Sequence, residues 1–468
     1  MTDFITLNPA DHVLLVMDRE IRAAGLPGAW CGFALELAGP PDEDRLRSGL
    51  AALGEAFPVL SARLVRRGRH YGWQPTGEPI PLTRHPLAAD QKEANFQHAC
   101  LLEQMHADPD TDNTTPFSLH WIDGKVHTLL LARWLHPLMD AGGVKRVFDF
   151  LMADDNQRRR YLKGNESLVT KKLAAWSWGR KLQLLWRGKR HNDWLDRLDS
   201  SLPTADASGA GAVSSGGLRG MDAAMKSPRT GSRRPPEETT PALTLHRRLK
   251  TIHLTLSEEE TRTVTQATRR RVGLGAQSLY PIGCLMRALE AMGPAVSKDA
   301  WCIPYAFNLR PGNAPVPVTG NQVSVLFAQA SHDVVADRGR LFEHLRRQYA
   351  DTVRRELDQA YLPLMWLGRW LSLERYAHIL RRQKSGGERS SVWFSDIGEL
   401  RFLRPNFLGA PIDGVRHACF VTAPPSLAVL FSRFNDQLSA AINYQQPDFD
   451  PAWIERFRDL LRSELLAD

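Results

Sequence analysis

Residues 204–236, TADASGAGAVSSGGLRGMDAAMKSPRTGSRRPP, hold no apolar periodicity and are dense in Gly, Ser, Ala and Pro. Such a stretch cannot bury enough apolar surface to offset the cost of ordering it, so it reads as a flexible connector. Its position limits what the chain can become. It leaves about two hundred residues on each side, enough for a separate hydrophobic core in each part. With 43% hydrophobic residues over 468 positions, neither part is disordered by composition.

Each part mixes strand and helix signals. In the first, a helix is expected over 8–19, a strand in WCGFALELAG (30–39) and an amphipathic helix in DEDRLRSGLAALGEAF (42–57). The alternation of PVLSARLVRRGRHYGWQ (58–74) around RRGRH reads as a hairpin. The second part opens on the strand LKTIHLTL. A helix follows, capped by Ser257 with Glu260 three positions on. It closes with two strands around Asn435-Asp436 and a C-terminal helix. Regular βαβ alternation is missing, which argues against a doubly wound parallel sheet.

Several functional classes are disfavoured. The five cysteines, Cys31, Cys100, Cys284, Cys302 and Cys419, form no C-x-x-C pair, so a reduced, cytoplasmic protein without a structural metal is expected. MTDFITLNPADHVLLVMDRE lacks the features of a signal peptide, and no apolar run reaches the ~18 residues of a membrane span. The net charge of +8 comes largely from clusters between 156 and 236 rather than from a basic domain face, and no nucleic-acid-binding motif is present. A nucleic-acid partner is not expected.

The chemistry concentrates in RWLHPLMDAGGVKR (133–146). An H-x-x-x-D spacing alone says little, since about one match is expected by chance. His106 and Asp110 supply such a match inside the polar MHADPDTDNTT, and no role is assigned to them. His136 and Asp140 differ because they follow TLLLARWL, a run suited to a buried strand. Pro137 is expected to push His136 out of the α region, and Gly142-Gly143 to form a tight bend before the helix VKRVFDFLM. A histidine at a strand end on a constrained loop can reach into a cleft.

LHPLMDAGG resembles the H-H-x-x-x-D-G motif of the chloramphenicol acetyltransferase-like superfamily, which contains peptide-synthetase condensation domains, plant acyltransferases and bacterial wax ester synthase/diacylglycerol acyltransferases. LNPADHVLLVMDRE and AFPVLSARLV are similar to the openings of these enzymes. IPYAFNLRPGNAPVPVTGNQVSVLF (303–327) resembles their N-x-R-P and G-N segment, SVWFSDIGEL (391–400) their S-N-x-G-like strand, and the last fifty residues their closing hairpin and helix. The layout is closest to wax ester synthases. Departures are Leu135 for the first histidine, Ala141 for the motif glycine and Asp396 for a frequent Asn. The Asn-Asp pair and the plant D-F-G-W-G motif are absent.

The resemblance implies an α/β fold of two similar lobes, mixed sheets flanked by helices, with a tunnel between them. It implies an acyltransferase moving an acyl group from an acyl-CoA or acyl carrier protein thioester to a hydroxyl or amine. His136 would be the general base, and Asp140 would pair with Arg310 to hold the loop. Ser395 would donate to the developing oxyanion, unless its hydroxyl only caps the strand, and Asn321 would pack near the tunnel. No covalent acyl-enzyme is required, and the chain has no G-x-S-x-G elbow. The thioester is a co-substrate and no bound cofactor or metal is expected. A stand-alone condensation enzyme forming an amide, with a carrier-protein partner, is one alternative. A non-catalytic relative that binds a partner or lipid is the other.

The division expected is 1–170 as the first lobe, 171–245 as a basic amphipathic helix with linker, and 246–468 as the second lobe. In 171–198, Trp178, Leu182, Leu185 and Trp186 fall on one side of a helix, with Arg180, Lys181, Arg187 and Lys189 around them. That pattern suits either a peripheral membrane contact or an aromatic stripe packed against the protein, and the packed arrangement is the one expected.

Overall fold

The computed structural model describes residues 4–107, 115–163, 166–204, 247–273, 275–310 and 317–467. Apart from Thr204, the connector predicted at 204–236 lies outside the described residues, as does Asp110.

The first helix, Pro9–Ala23, starts where Asn8 and Asp11 form a reciprocal capping box with Pro9 at the first helical position. Seven strands come from the first part: β1 (Ile5–Thr6), β2 (Trp30–Ala38), β3 (Ala62–Arg67), β4 (His70–Pro75), β5 (Leu82–His85), β6 (Phe117–Ile122) and β7 (His127–Leu135). The second part gives β8 (Arg248–Thr255), β9 (Ala300–Asn308), β10 (Val323–Ser331), β11 (Trp393–Glu399), β12 (Asn406–Phe407), β13 (Ala410–Cys419), β14 (Leu427–Phe434) and β15 (Gln437–Gln446).

These strands build two mixed six-stranded sheets, ordered β12-β13-β2-β7-β6-β5 and β10-β9-β11-β14-β15-β8, and a small sheet β1-β4-β3. β7 lies inside the first sheet, between β2 and β6. Its residues from Thr128 to Leu135 are all buried, as the unbroken apolar run requires. Each sheet has its own core, with Trp30, Phe33 and Phe148 in one and Tyr280, Trp301 and Phe342 in the other. The lobes are not consecutive halves of the chain. β13 pairs antiparallel with β2, so the first sheet is completed by residues from far downstream.

The helix Glu258–Arg271 has the predicted Ser257–Glu260 capping box, and Asn435 and Asp436 turn the last hairpin with φ of 46° and 58°. Among the described residues, no helix is long and apolar enough to cross a membrane.

Candidate active site

The end of β7 departs from the expected local geometry in two ways. His136 is not extended but opens a single 3-10 turn, His136–Leu138, after which Met139 returns to the extended region. The glycine pair does not form a bend ahead of the helix. Asp140 is itself the N-cap, accepting from the Gly143 amide at 3.0 Å, and the helix Ala141–Met152 starts directly after it. Close approach explains the glycines. A Cβ on Gly143 would meet the Val318 carbonyl oxygen at 2.3 Å, and one on Gly142 would press on the Arg310 guanidinium at 3.1 Å.

Arg310, from just beyond β9, reaches Asp140 across the lobe seam. Nη1 donates to Oδ2 and Nη2 to Oδ1, both at 2.7 Å. The Gln322 amide adds a bond to Oδ2 at 2.9 Å. Burial pushes the Asp140 carboxyl up, but the Arg310 charge and these hydrogen bonds outweigh it and hold it below the usual carboxylate value. The Gly320 amide donates to the Leu138 carbonyl at 2.6 Å, and the Trp134 indole to the Met139 carbonyl at 2.8 Å. The loop is therefore fastened from both lobes.

His136 donates its amide to Ala29, and its carbonyl accepts from Asn321 Nδ2 at 2.8 Å. The half-buried ring packs edge-on to Phe420, with centroids 5.6 Å apart. Among the described residues its buried Nδ1 has no hydrogen-bond partner. Burial lowers the imidazole pKa, and the Asp140 charge opposes this without reversing it, so the ring is neutral near pH 7.

Asn321 leads to a carboxylate to which the sequence reading gives no role. Fully buried, it donates its backbone amide and Nδ2 to Asp11 Oδ1 at 2.7 and 2.9 Å, while Asn8 donates to its carbonyl at 3.3 Å. Asp11 has no cationic partner in this network; burial raises its pKa to about 7 against the hydrogen bonds from Asn321 and Asn8. The only local signal was N-P-A-D, which reads as a helix cap and is one. Its second role, 310 residues away along the chain, leaves no trace in spacing. Asp11 and Asn8 also line a hollow of about 470 Å³ with Leu138, Thr170, Thr319 and Gly320.

Ser395 lies on β11, where strand alternation puts it on the side of Trp393 and Ile397, both packed against the first-lobe core. Among the described residues it makes no hydrogen bond to His136. Asp396 next to it accepts from the Ser278 hydroxyl at 2.8 Å. His106 ends the helix Glu93–His106, away from this network. Among the described residues, no cluster of His, Cys, Asp or Glu could hold a metal ion.

No family model matches the chain, and no curated protein does so. Solved structures do. The first condensation domain of the calcium-dependent antibiotic synthetase superposes with a TM-score of 0.62 at 14% identity, over 99% of this chain and 97% of that one. The fold is that of a condensation domain. The trichothecene 15-O-acetyltransferase from Fusarium sporotrichioides shares it, with a TM-score of 0.65 at 12% identity over 98% and 93% of the two chains. So does the epimerization domain from the third module of tyrocidine synthetase B, at 0.58 and 14%, over 100% and 97%. The condensation-domain fold thus spans both lobes, and the loop carrying His136 lies on their seam. The narrower likeness to wax ester synthases rests on the sequence motifs alone.

Proposed function

We propose that this protein is an acyltransferase that moves an acyl group from a thioester to a hydroxyl or amine, with His136 as the general base. The observation that carries the reading is the anchoring of the His136 loop at the lobe seam by the two-pronged Asp140–Arg310 pair and the Asn321 amide. A neutral imidazole is the form a base needs. A neutral imidazole keeps one ring nitrogen unprotonated, and that lone pair is the one offered to the acceptor. As the acceptor oxygen or nitrogen attacks the thioester carbonyl, the unprotonated ring nitrogen of His136 takes its proton. The C–S bond then breaks and the thiolate receives that proton, so no acyl-enzyme forms. Asp140 and Arg310 hold the loop rather than relay protons. Ser395 is the candidate donor to the oxyanion, and Gly142 and Asn321 support the site by letting the second lobe approach it.

The donor in this proposal is an acyl-CoA or a carrier-protein thioester, with no resident cofactor. The likeness to condensation domains favours a carrier-bound donor and an amine acceptor, and the likeness to a 15-O-acetyltransferase favours a hydroxyl. The test is to offer the protein acyl-CoA and acyl-carrier donors with pooled alcohols and amines and to read the products by mass spectrometry. His136→Ala is expected to lose about 10²–10⁴-fold in rate with an unchanged thermal melt. A folded His136→Ala protein that keeps the wild-type rate removes His136 as the base. Absence of transfer by the wild type from any donor favours a non-catalytic binding role.

A further inference from the structure

The aromatic stripe of the helix Trp178–Leu195 faces the opposite way from the expected packing. The helix buries Leu184, Gly188, His191 and Leu195, and it packs on the helix Leu357–Gly368. Gly188 is the close contact: a Cβ there would meet the Ala360 carbonyl oxygen at 2.9 Å and the Leu364 side chain at 2.7 Å. Trp178, Leu182 and Trp186, on the other side, are 65%, 53% and 61% exposed. Trp178 meets Trp366 edge-on at 5.8 Å, and Leu367, Trp370 and Leu371 beyond it are exposed as well. Large apolar groups therefore stand in water on this helix and at the end of the helix it packs on, which a monomer rarely tolerates without a use for them.

Basic groups outnumber acidic ones around this face. Residues 171–198 hold eight Lys and Arg against two Asp. Of the acidic groups nearby, Glu356 is held by both Arg180 and Arg187, and Asp193 by both Lys189 and Lys384. The Lys181 ammonium lies 5.0 Å from the Trp178 ring centroid, and that of Lys189 lies 5.9 Å from Trp186. Lysine is depleted from protein–protein interfaces, whereas indoles flanked by lysines are the pattern of a bilayer interface, with the ring in the headgroup layer and the ammonium at phosphate level.

We propose that this face docks on an anionic lipid bilayer, with Trp178, Leu182 and Trp186 inserted and the surrounding Lys and Arg on the headgroups. The docking does not depend on the acyl-transfer reading. The test is sedimentation of the full chain with phosphatidylcholine vesicles, with and without phosphatidylglycerol. Binding is expected only when phosphatidylglycerol is present, weakening with salt. The combined W178S, L182S and W186S protein is expected to lose at least about tenfold in partitioning. K189Q and R190Q are expected to cost about fivefold each. Brominated acyl chains should quench tryptophan emission in the wild type, a readout that does not depend on any variant folding. A wild-type protein that stays in the supernatant with phosphatidylglycerol vesicles, or a folded triple variant that sediments like the wild type, overturns the proposal. Capture of an acidic carrier protein through this face, without vesicle binding, overturns it too and assigns the face to a protein.

Discussion

The His136–Asp140 loop and the outer face of the helix Trp178–Leu195 are opposites in what they leave unmatched. In the loop a buried carboxylate meets a guanidinium from the other lobe and two backbone amides, so a charge that would be costly alone is paired. On the helix, apolar rings that would be favourable inside stand in water. The first region is finished within the chain and should respond to mutation through stability. The second is finished by something outside the chain and should respond only through binding.

The sharpest way to break this contrast is Arg310→Ala. It strands the Asp140 carboxylate at a buried site, and urea unfolding should show a loss of about 3–5 kcal/mol. A loss under 1 kcal/mol would mean that the loop is not tied as described. Gly143→Ala comes next. The added methyl has no room beside the Val318 carbonyl, and an overpacking cost of about 1–3 kcal/mol is expected by the same measurement.

A smaller effect concerns pH. With its pKa lowered by burial, His136 stays neutral as pH falls through its usual value and gains a proton only below it. Acyl transfer should therefore fall less between pH 7 and 6 than the loss of about two thirds expected of a base of ordinary pKa. An acid limb at or above pH 6.5 would contradict the buried environment. The smallest effect is expected on the helix face. Trp178→Ser with Trp186→Ser should move folding stability by no more than about 0.5 kcal/mol per site, and a multi-kcal/mol loss would show that the rings are packed after all.

The same contrast shows what sequence can carry. Features set by neighbouring residues were legible: the Ser257–Glu260 box, the Asn435-Asp436 turn, and the buried run that delivers His136 to the end of β7. The strand carrying Ser395 was also where the motif put it, but strand alternation gives its side and not its contacts. The facing of the helix Trp178–Leu195 was not legible, because both of its stripes have helical period. Deciding between them requires knowing that Ala360 approaches closely enough to demand Gly188. Hydrophobicity favoured the tryptophan side, and backbone proximity overruled it. The two-lobed fold emerged from the order of the motifs, whereas the return of β13 to the first sheet did not, since nothing in either strand names its partner.

That returning strand sets a schedule for synthesis. β2 ends at Ala38 and β13 begins at Ala410, so a ribosome adding about 5–20 residues per second leaves one edge of β2 without its neighbour for roughly 20–75 s. During that interval an apolar strand presents free amide and carbonyl groups, the template on which nascent chains mispair. The first lobe, begun first, is not closed until a strand made near the end of the chain returns to it, so translation rate and chaperone supply should govern its yield.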